Sequence, residues 1–189
     1  MKTIRTFLAI TLPEELARAA ARWMDAAARP EDGMKWVPKD NLHLTLKFLG
    51  EVDNVETPRV CQTLATICEA YHPFDLNFLG TDGLPSFDRA RVLTVQVEDP
   101  SGSLTQMVGD IESQFAELGF KPEPRDYRPH LTLGRVRRNS RSASADVLSR
   151  WQEYRDGRLG ELTVRQTHVV GSFLEKRGPV YTTMYTVDL

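Results

Sequence analysis

The tetrapeptide His-Leu-Thr-Leu occurs twice, at His43–Leu46 and His130–Leu133, in a chain with only four histidines. On an extended strand, residues i and i+2 share a face. Each copy therefore presents an imidazole and a hydroxyl on one side while its leucines anchor the other side in a core. A helix would scatter these groups around its surface. The pattern demands two strands, each with one buried face and one polar face.

The rest of the chain predicts helices between strands. Thr3–Leu12 reads as a strand that ends where Pro13 can open a helix. Leu16, Ala19, Ala20, Trp23 and Ala27 follow at helical spacing, and Pro30 closes that segment. Trp36-Val37 precedes the first motif strand, Leu42–Leu49, on which Lys47 continues the polar alternation of His43 and Thr45. Thr57 is positioned to cap a second helix, with Pro58 at its first helical position. Strands are predicted near 74–79 and 91–97. Asp99-Pro100 then opens a third helix through Leu104, Val108, Ile111, Phe115 and Leu118. The second motif strand follows, then a weaker helix around 145–151 and a hairpin turning at 176–179. The order describes an α+β chain whose second half loosely repeats its first, over a length that suits one domain or two small lobes sharing one cleft.

Several function classes fall away. The opening MKTIRTFLAITLPEEL has two basic residues before an apolar run, but Thr11 and Pro13-Glu14-Glu15 end the run before a signal core forms. No stretch has the apolar length to span a membrane. Cys61 and Cys68 lie two helical turns apart, about 10 Å, too far for a relaxed disulfide. Free thiols indicate a reducing compartment, and a cytoplasmic protein is expected. No compact Cys/His cluster suggests a metal, and no Gly-rich phosphate loop suggests a bound nucleoside triphosphate. No metal and no cofactor are expected, and monomer is the default.

The net charge of −2 gives no global case for nucleic acid. Between Lys121 and Arg141, however, seven basic residues (Lys121, Arg125, Arg128, Arg135, Arg137, Arg138, Arg141) face only Glu123 and Asp126. A local field of that sign attracts phosphate. The plain alternative is a solubilising Arg-rich loop.

If the two halves pack with approximate two-fold symmetry, His43, Thr45, His130 and Thr132 surround one small anion. That set suits a cyclic phosphodiester: one imidazole takes the proton of an attacking water, the other protonates the departing ribose oxygen. Threonine hydroxyls can donate to the non-bridging oxygens. The plain alternative is a repeated strand whose polar face is merely solvated.

The chain resembles the 2H phosphoesterase family, in particular its bacterial RNA 2′,3′-cyclic phosphodiesterase branch, once described as 2′-5′ RNA ligases. The resemblance rests on FLAITLP, on Trp36-Val37 leading through Asn41 to HLTLKFLGEV, on RPHLTLGR, and on GSFLEKRGPVYTTMYTVDL. It implies a bilobal, pseudo-two-fold α+β fold with two antiparallel sheets lining a central cleft and helices outside. It implies that His43, His130, Thr45 and Thr132 are the active set, with Arg135 on phosphate or nucleotide. The implied activity is hydrolysis of RNA or nucleoside 2′,3′-cyclic phosphates to 2′-phosphates, with tRNA fragments among the candidate substrates and no obligate protein partner. Cleavage of the P–O3′ bond puts the acid beside O3′, and the resemblance favours His130 as base and His43 as acid. Gly134 stands where many relatives have Ala, a change expected to be neutral.

Tyr127, Arg128, Phe48 and Tyr181 are candidate cleft-wall residues. Phe48 could stack on a base, but as the fifth residue after His43 it should point away from the cleft on an unbroken strand, into the core. His72 reads as a cap or surface residue, and His168 sits on a late strand that could approach the cleft. Trp23 and Trp151 read as packing groups. Two other functions use the same residues: joining or cleaving 2′-5′ linkages, and a non-catalytic nucleotide or RNA clamp. Two histidines rather than two fixed cations argue against the clamp.

Overall fold

The computed structural model describes residues 2–137, 140–176 and 178–189. Arg138 of the basic segment and Arg177 of the expected hairpin turn lie outside the described residues. The elements are β1 (Thr3–Thr11), α1 (Glu14–Ala27), β2 (Met34–Trp36), β3 (His43–Asp53), α2 (Thr57–Cys68), β4 (Phe74–Leu84), β5 (Val92–Glu98), α3 (Ser103–Glu117), β6 (His130–Val136), α4 (Ala145–Gln152), β7 (Gly160–Val164), β8 (Gln166–Glu175) and β9 (Gly178–Asp188). Each motif histidine is the first residue of its strand.

The strands form two antiparallel sheets, in orders β3-β1-β8-β9 and β2-β6-β5-β4-β7. The motif strands lie in different sheets and approach one another without pairing. The chain crosses between the sheets repeatedly. Helix α1 leaves β1 to pack on β6 and β7, while α3 leaves β5 to pack on β3. Helix α2 lies against α3 and β9, and α4 against α1 and β4. Each sheet thereby has helices on one face only, and the other face is left for the cleft.

The helix-covered faces hold the main core, with Leu8 and Ile10 of β1, Leu44 and Leu46 of β3, and Leu131 and Leu133 of β6 all buried. These leucines are the motif's anchors. At roughly 1.5–3 kcal/mol per fully buried aliphatic side chain, they hold each strand with its histidine outward. Trp151 is fully buried, and its indole N–H donates to the Asp82 carbonyl at 3.1 Å. A small separate cluster of Phe7, Ala9 and Val170, with Tyr181 against it, lies on the opposite face of β1.

Three local expectations change. Thr57 does not cap α2. Glu56 occupies the cap position, and the Thr57 hydroxyl bonds back to the Asp53 carbonyl at 3.4 Å. Helix α3 begins at Ser103 rather than at Asp99-Pro100, because Gly102 takes a left-handed conformation (φ 75°) just before it. The Asp99 carboxylate accepts from the Thr105 N–H at 2.9 Å inside the first turn. Lys47 is on the core side of β3, buried, with its ammonium donating to Glu112 of α3 at 2.6 Å and to the Lys121 carbonyl at 3.1 Å. The reason lies in the backbone of β3.

Candidate active site

Each motif strand carries an extra residue at the same place, and β3 has a second one further on, at Leu49. On β3, Thr45 pairs with Ala9 and Lys47 with Leu8, which leaves Leu46 without a partner. On β6, Thr132 pairs with Thr94 and Gly134 with Leu93, which leaves Leu133 without one. A bulge of this kind resets the alternation. Beyond it the fifth residue, not the fourth, returns to the histidine's face. Lys47 and Gly134 consequently turn to the core, and Phe48 and Arg135 turn to the cleft.

Phe48 is thus 58% exposed rather than packed in the core. Its ring centroid lies 5.9 Å from that of Phe7, which itself sits 4.8 Å from His43. Arg135 is exposed on β6. Gly134 is buried against Trp36: a Cβ there would come within 3.0 Å of the indole Cε3. An alanine at this position would need the Trp36 ring to give by a few tenths of an ångström.

The two histidines are held alike. His43 Nδ1 lies 2.7 Å from the Asn41 carbonyl oxygen, and His130 Nδ1 lies 2.7 Å from the Arg128 carbonyl oxygen. A carbonyl can only accept, so Nδ1 carries the proton in both rings and Nε2 is the nitrogen left for chemistry. The Thr45 hydroxyl lies 3.1 Å from His43 Nε2 and donates to it in the neutral ring. The Asn41 side chain donates to the Pro179 carbonyl at 2.8 Å, tying the turn before β3 to the β8–β9 hairpin.

The surroundings differ. His43 is walled by Phe7 and by Tyr181, whose ring meets it edge-on at 5.3 Å. Burial presses the His43 imidazole below the ordinary histidine value and the Arg135 guanidinium adds to this, while the Asn41 carbonyl acts the other way. Strands β3 and β6, from different sheets, approach one another here. Tyr127 also joins them, its hydroxyl donating to the Thr45 carbonyl at 3.1 Å. Burial pushes that phenol well above its usual range. Arg128 contributes its carbonyl to His130, and its guanidinium is exposed.

Of the two remaining histidines, His168 shares the cleft face with the first pair, since its partner Ala9 pairs on its other side with Thr45. His72 is exposed just after α2. His168 is buried on β8 beside Ala9, its ring nitrogens 3.0 Å from the Thr11 hydroxyl and 3.1 Å from that of Thr186. Sequence reasoning missed Phe7, the ring that joins His43, Phe48 and Tyr181. Its signal was present, since Phe7 alternates with core residues Leu8 and Ile10. Among the described residues no three His, Cys, Asp or Glu side chains group to hold a metal ion, and no helix is long and apolar enough to cross a membrane.

A family model for the 2′-5′ RNA ligase superfamily matches residues 12–171. The chain is 32% identical to the RNA 2′,3′-cyclic phosphodiesterase of Methanothermobacter thermautotrophicus, over 96% of each chain. It is 33% identical to the Escherichia coli protein of the same name, over 68% of this chain and 70% of that one. Among solved structures it is similar to TT0787 of Thermus thermophilus (TM-score 0.81, 27% identity, 98% of each chain). It is also similar to Escherichia coli LigT complexed with 3′-AMP (TM-score 0.80, 26% identity, 100% of this chain and 99% of that one). With this match and the paired His-x-Thr strands, the chain belongs to the 2′-5′ RNA ligase superfamily, the 2H phosphoesterases.

Proposed function

We propose that the protein hydrolyses 2′,3′-cyclic phosphates at RNA or nucleoside ends to 2′-phosphates, by metal-independent acid–base catalysis between His130 and His43. The observation that carries this reading is the shared tautomer. Two imidazoles on facing strands, each with Nδ1–H fixed to a carbonyl two residues back, both have Nε2 available for proton transfer. Relatives named RNA 2′,3′-cyclic phosphodiesterase support the substrate class.

The step balances with these groups alone. His130 Nε2 removes a proton from water as its oxygen bonds to phosphorus. The P–O3′ bond breaks on the opposite side, and O3′ takes the proton from His43 Nε2. His130 ends protonated and His43 neutral, and exchange with solvent resets both. Thr45 and Thr132 donate to the non-bridging oxygens, with the Arg135 charge beside them. When His43 gains its Nε2 proton, the Thr45 hydroxyl is released from that nitrogen and becomes free to donate to phosphate. The aromatic wall of Phe7, Phe48 and Tyr181 lies on the His43 side, which suits the nucleoside and its leaving oxygen. Among the described residues no aromatic ring packs on His130, which suits the attacking water.

RNA fragments, tRNA halves included, carry the same terminal group, so this chemistry does not depend on the body of the RNA. Two free thiols, Cys68 buried and Cys61 partly so, suit a reducing compartment such as the cytoplasm.

The test is hydrolysis of a nucleoside 2′,3′-cyclic phosphate in excess EDTA, with 2′- and 3′-phosphate products resolved. The expected product is the 2′-phosphate, lost in both His43→Ala and His130→Ala. Absence of turnover by the folded wild type on nucleotide and RNA substrates would overturn the proposal.

A further inference from the structure

We infer that Lys35 and Arg137 extend the site into a cationic track for the RNA backbone, holding phosphates upstream of the one in the cleft; this rests on the cyclic-phosphate reading above. Lys35 on β2 is the direct partner of Arg135 on β6, so both side chains stand on the same face. Arg137 follows Arg135 by two residues and continues the ladder, its N–H donating to the Gly33 carbonyl at 2.8 Å. It shares that face too. The Leu133 bulge makes this the face of His130 and Thr132. The line His130, Thr132, Arg135, Arg137, with Lys35 alongside, therefore runs outward from the site, and Arg135 to Arg137 advances about 6.6 Å.

These cations are exposed, and among the described residues none of the three pairs with a carboxylate. The nearest acid in sequence, Asp32, is turned inward to the Met34 N–H at 2.8 Å and the Trp36 indole N–H at 3.1 Å. Arg137 is partly anchored, its Nε donating to the Met34 carbonyl at 3.1 Å. The other end of β6 is mixed in charge. Gln96 pairs with His130, so β5 carries Glu98 and Asp99 past that end, and the preceding segment mixes Glu123 and Asp126 with Lys121, Arg125 and Arg128, Arg125 being paired with Glu123. A polyanion leaving the cleft meets unpaired cations in one direction and a mixture of both signs in the other. That contrast fits a phosphodiester backbone better than an acidic protein, because the track starts at the site that takes a phosphate.

The experiment compares a nucleoside 2′,3′-cyclic phosphate with a single-stranded RNA of about eight nucleotides ending in the same group, a length that covers a typical single-strand site. It uses wild type, Lys35→Gln, Lys35→Gln/Arg137→Gln, and Arg59→Gln on the exposed side of α2 as the off-track control. The double variant is expected to lose about tenfold in kcat/KM on the RNA and nothing on the nucleotide. Its salt slope for RNA should be shallower by about 1.4, for two phosphate contacts at ~0.7 each. Fluorescence anisotropy with the same RNA ending in an uncleavable 3′-phosphate should show the same loss of affinity. Equal losses on both substrates, or an RNA affinity that Arg59→Gln lowers as much as the track variants do, would overturn the track. Loss of nucleotide turnover in wild type with the anisotropy difference intact would instead remove the cyclic-phosphate reading and leave the track standing.

Discussion

Phe48 and Arg135 hold equivalent places in the two lobes: each is the fifth residue after its motif histidine, and each is turned to the cleft by an unpaired leucine two positions before it. The backbones repeat while the side chains do not, one being a 58% exposed ring and the other a guanidinium. A near-symmetric pair of His-x-Thr strands thus acquires a direction, with an aromatic side at one histidine and a cationic side at the other.

Separate kinetic signatures are expected from that difference. Phe48→Ala should raise KM for a nucleoside 2′,3′-cyclic phosphate about tenfold with little change in kcat, since base–ring stacking is worth ~1–3 kcal/mol. Arg135→Gln should lower kcat/KM about a hundredfold, the scale of a charge-assisted hydrogen bond. It should also raise the His43 pKa, by removing the cation that opposes protonation, which NMR titration of the free protein would detect.

Stability should fall as pH drops through the histidine range. Burial lowers the affinity of both His43 and His168 for a proton in the folded state. The unfolded chain is then protonated first, near the ordinary value of about 6.5. The contribution of these rings is complete above that value and is lost as pH falls through their lower folded values. Urea midpoints at pH 7.5 and 5.5 should differ, and His168→Gln should shrink the difference. An unchanged difference in that variant would exclude His168 as a source.

The Lys47–Glu112 pair tests the other consequence of the β3 bulge. The Lys47 side chain is 2% exposed and that of Glu112 is 25% exposed. Lys47→Ala should destabilise by about 3 kcal/mol, because it removes a buried partner and leaves a largely covered carboxylate unpaired. Lys47→Met/Glu112→Gln should recover most of that loss. Nucleotide hydrolysis should persist in both, as Lys47 faces away from the cleft. Denaturant unfolding beside kcat would separate the two effects.

Gly134→Ala should cost about 1–3 kcal/mol, the usual penalty for overpacking, because its methyl would press on Trp36 at 3.0 Å. Trp36→Leu in the same background should relieve part of it. Additive losses in the double variant would show that the two residues do not collide.

Much of the architecture was legible from period alone. The leucines of both motifs had to be buried, so the histidines and threonines had to be outward, and the helices announced themselves by spacing and proline. What failed were statements that carried the alternation too far. Lys47 was expected beside His43 and Phe48 in the core, and both are reversed. Whether a strand has an unpaired residue is decided by the register of its neighbour. For β3 that neighbour is β1, and for β6 it is β5, and no local pattern records that pairing. In the same way, Phe7 and Arg135 act on His43 only because sheets built from distant segments close over one cleft. The sequence by itself determined which side chains are chemically equipped and which face of each strand they begin on, since side-chain direction follows from backbone period. Tertiary structure decided which of them meet, because strand register and the approach of the two sheets are set by packing between residues far apart in the chain.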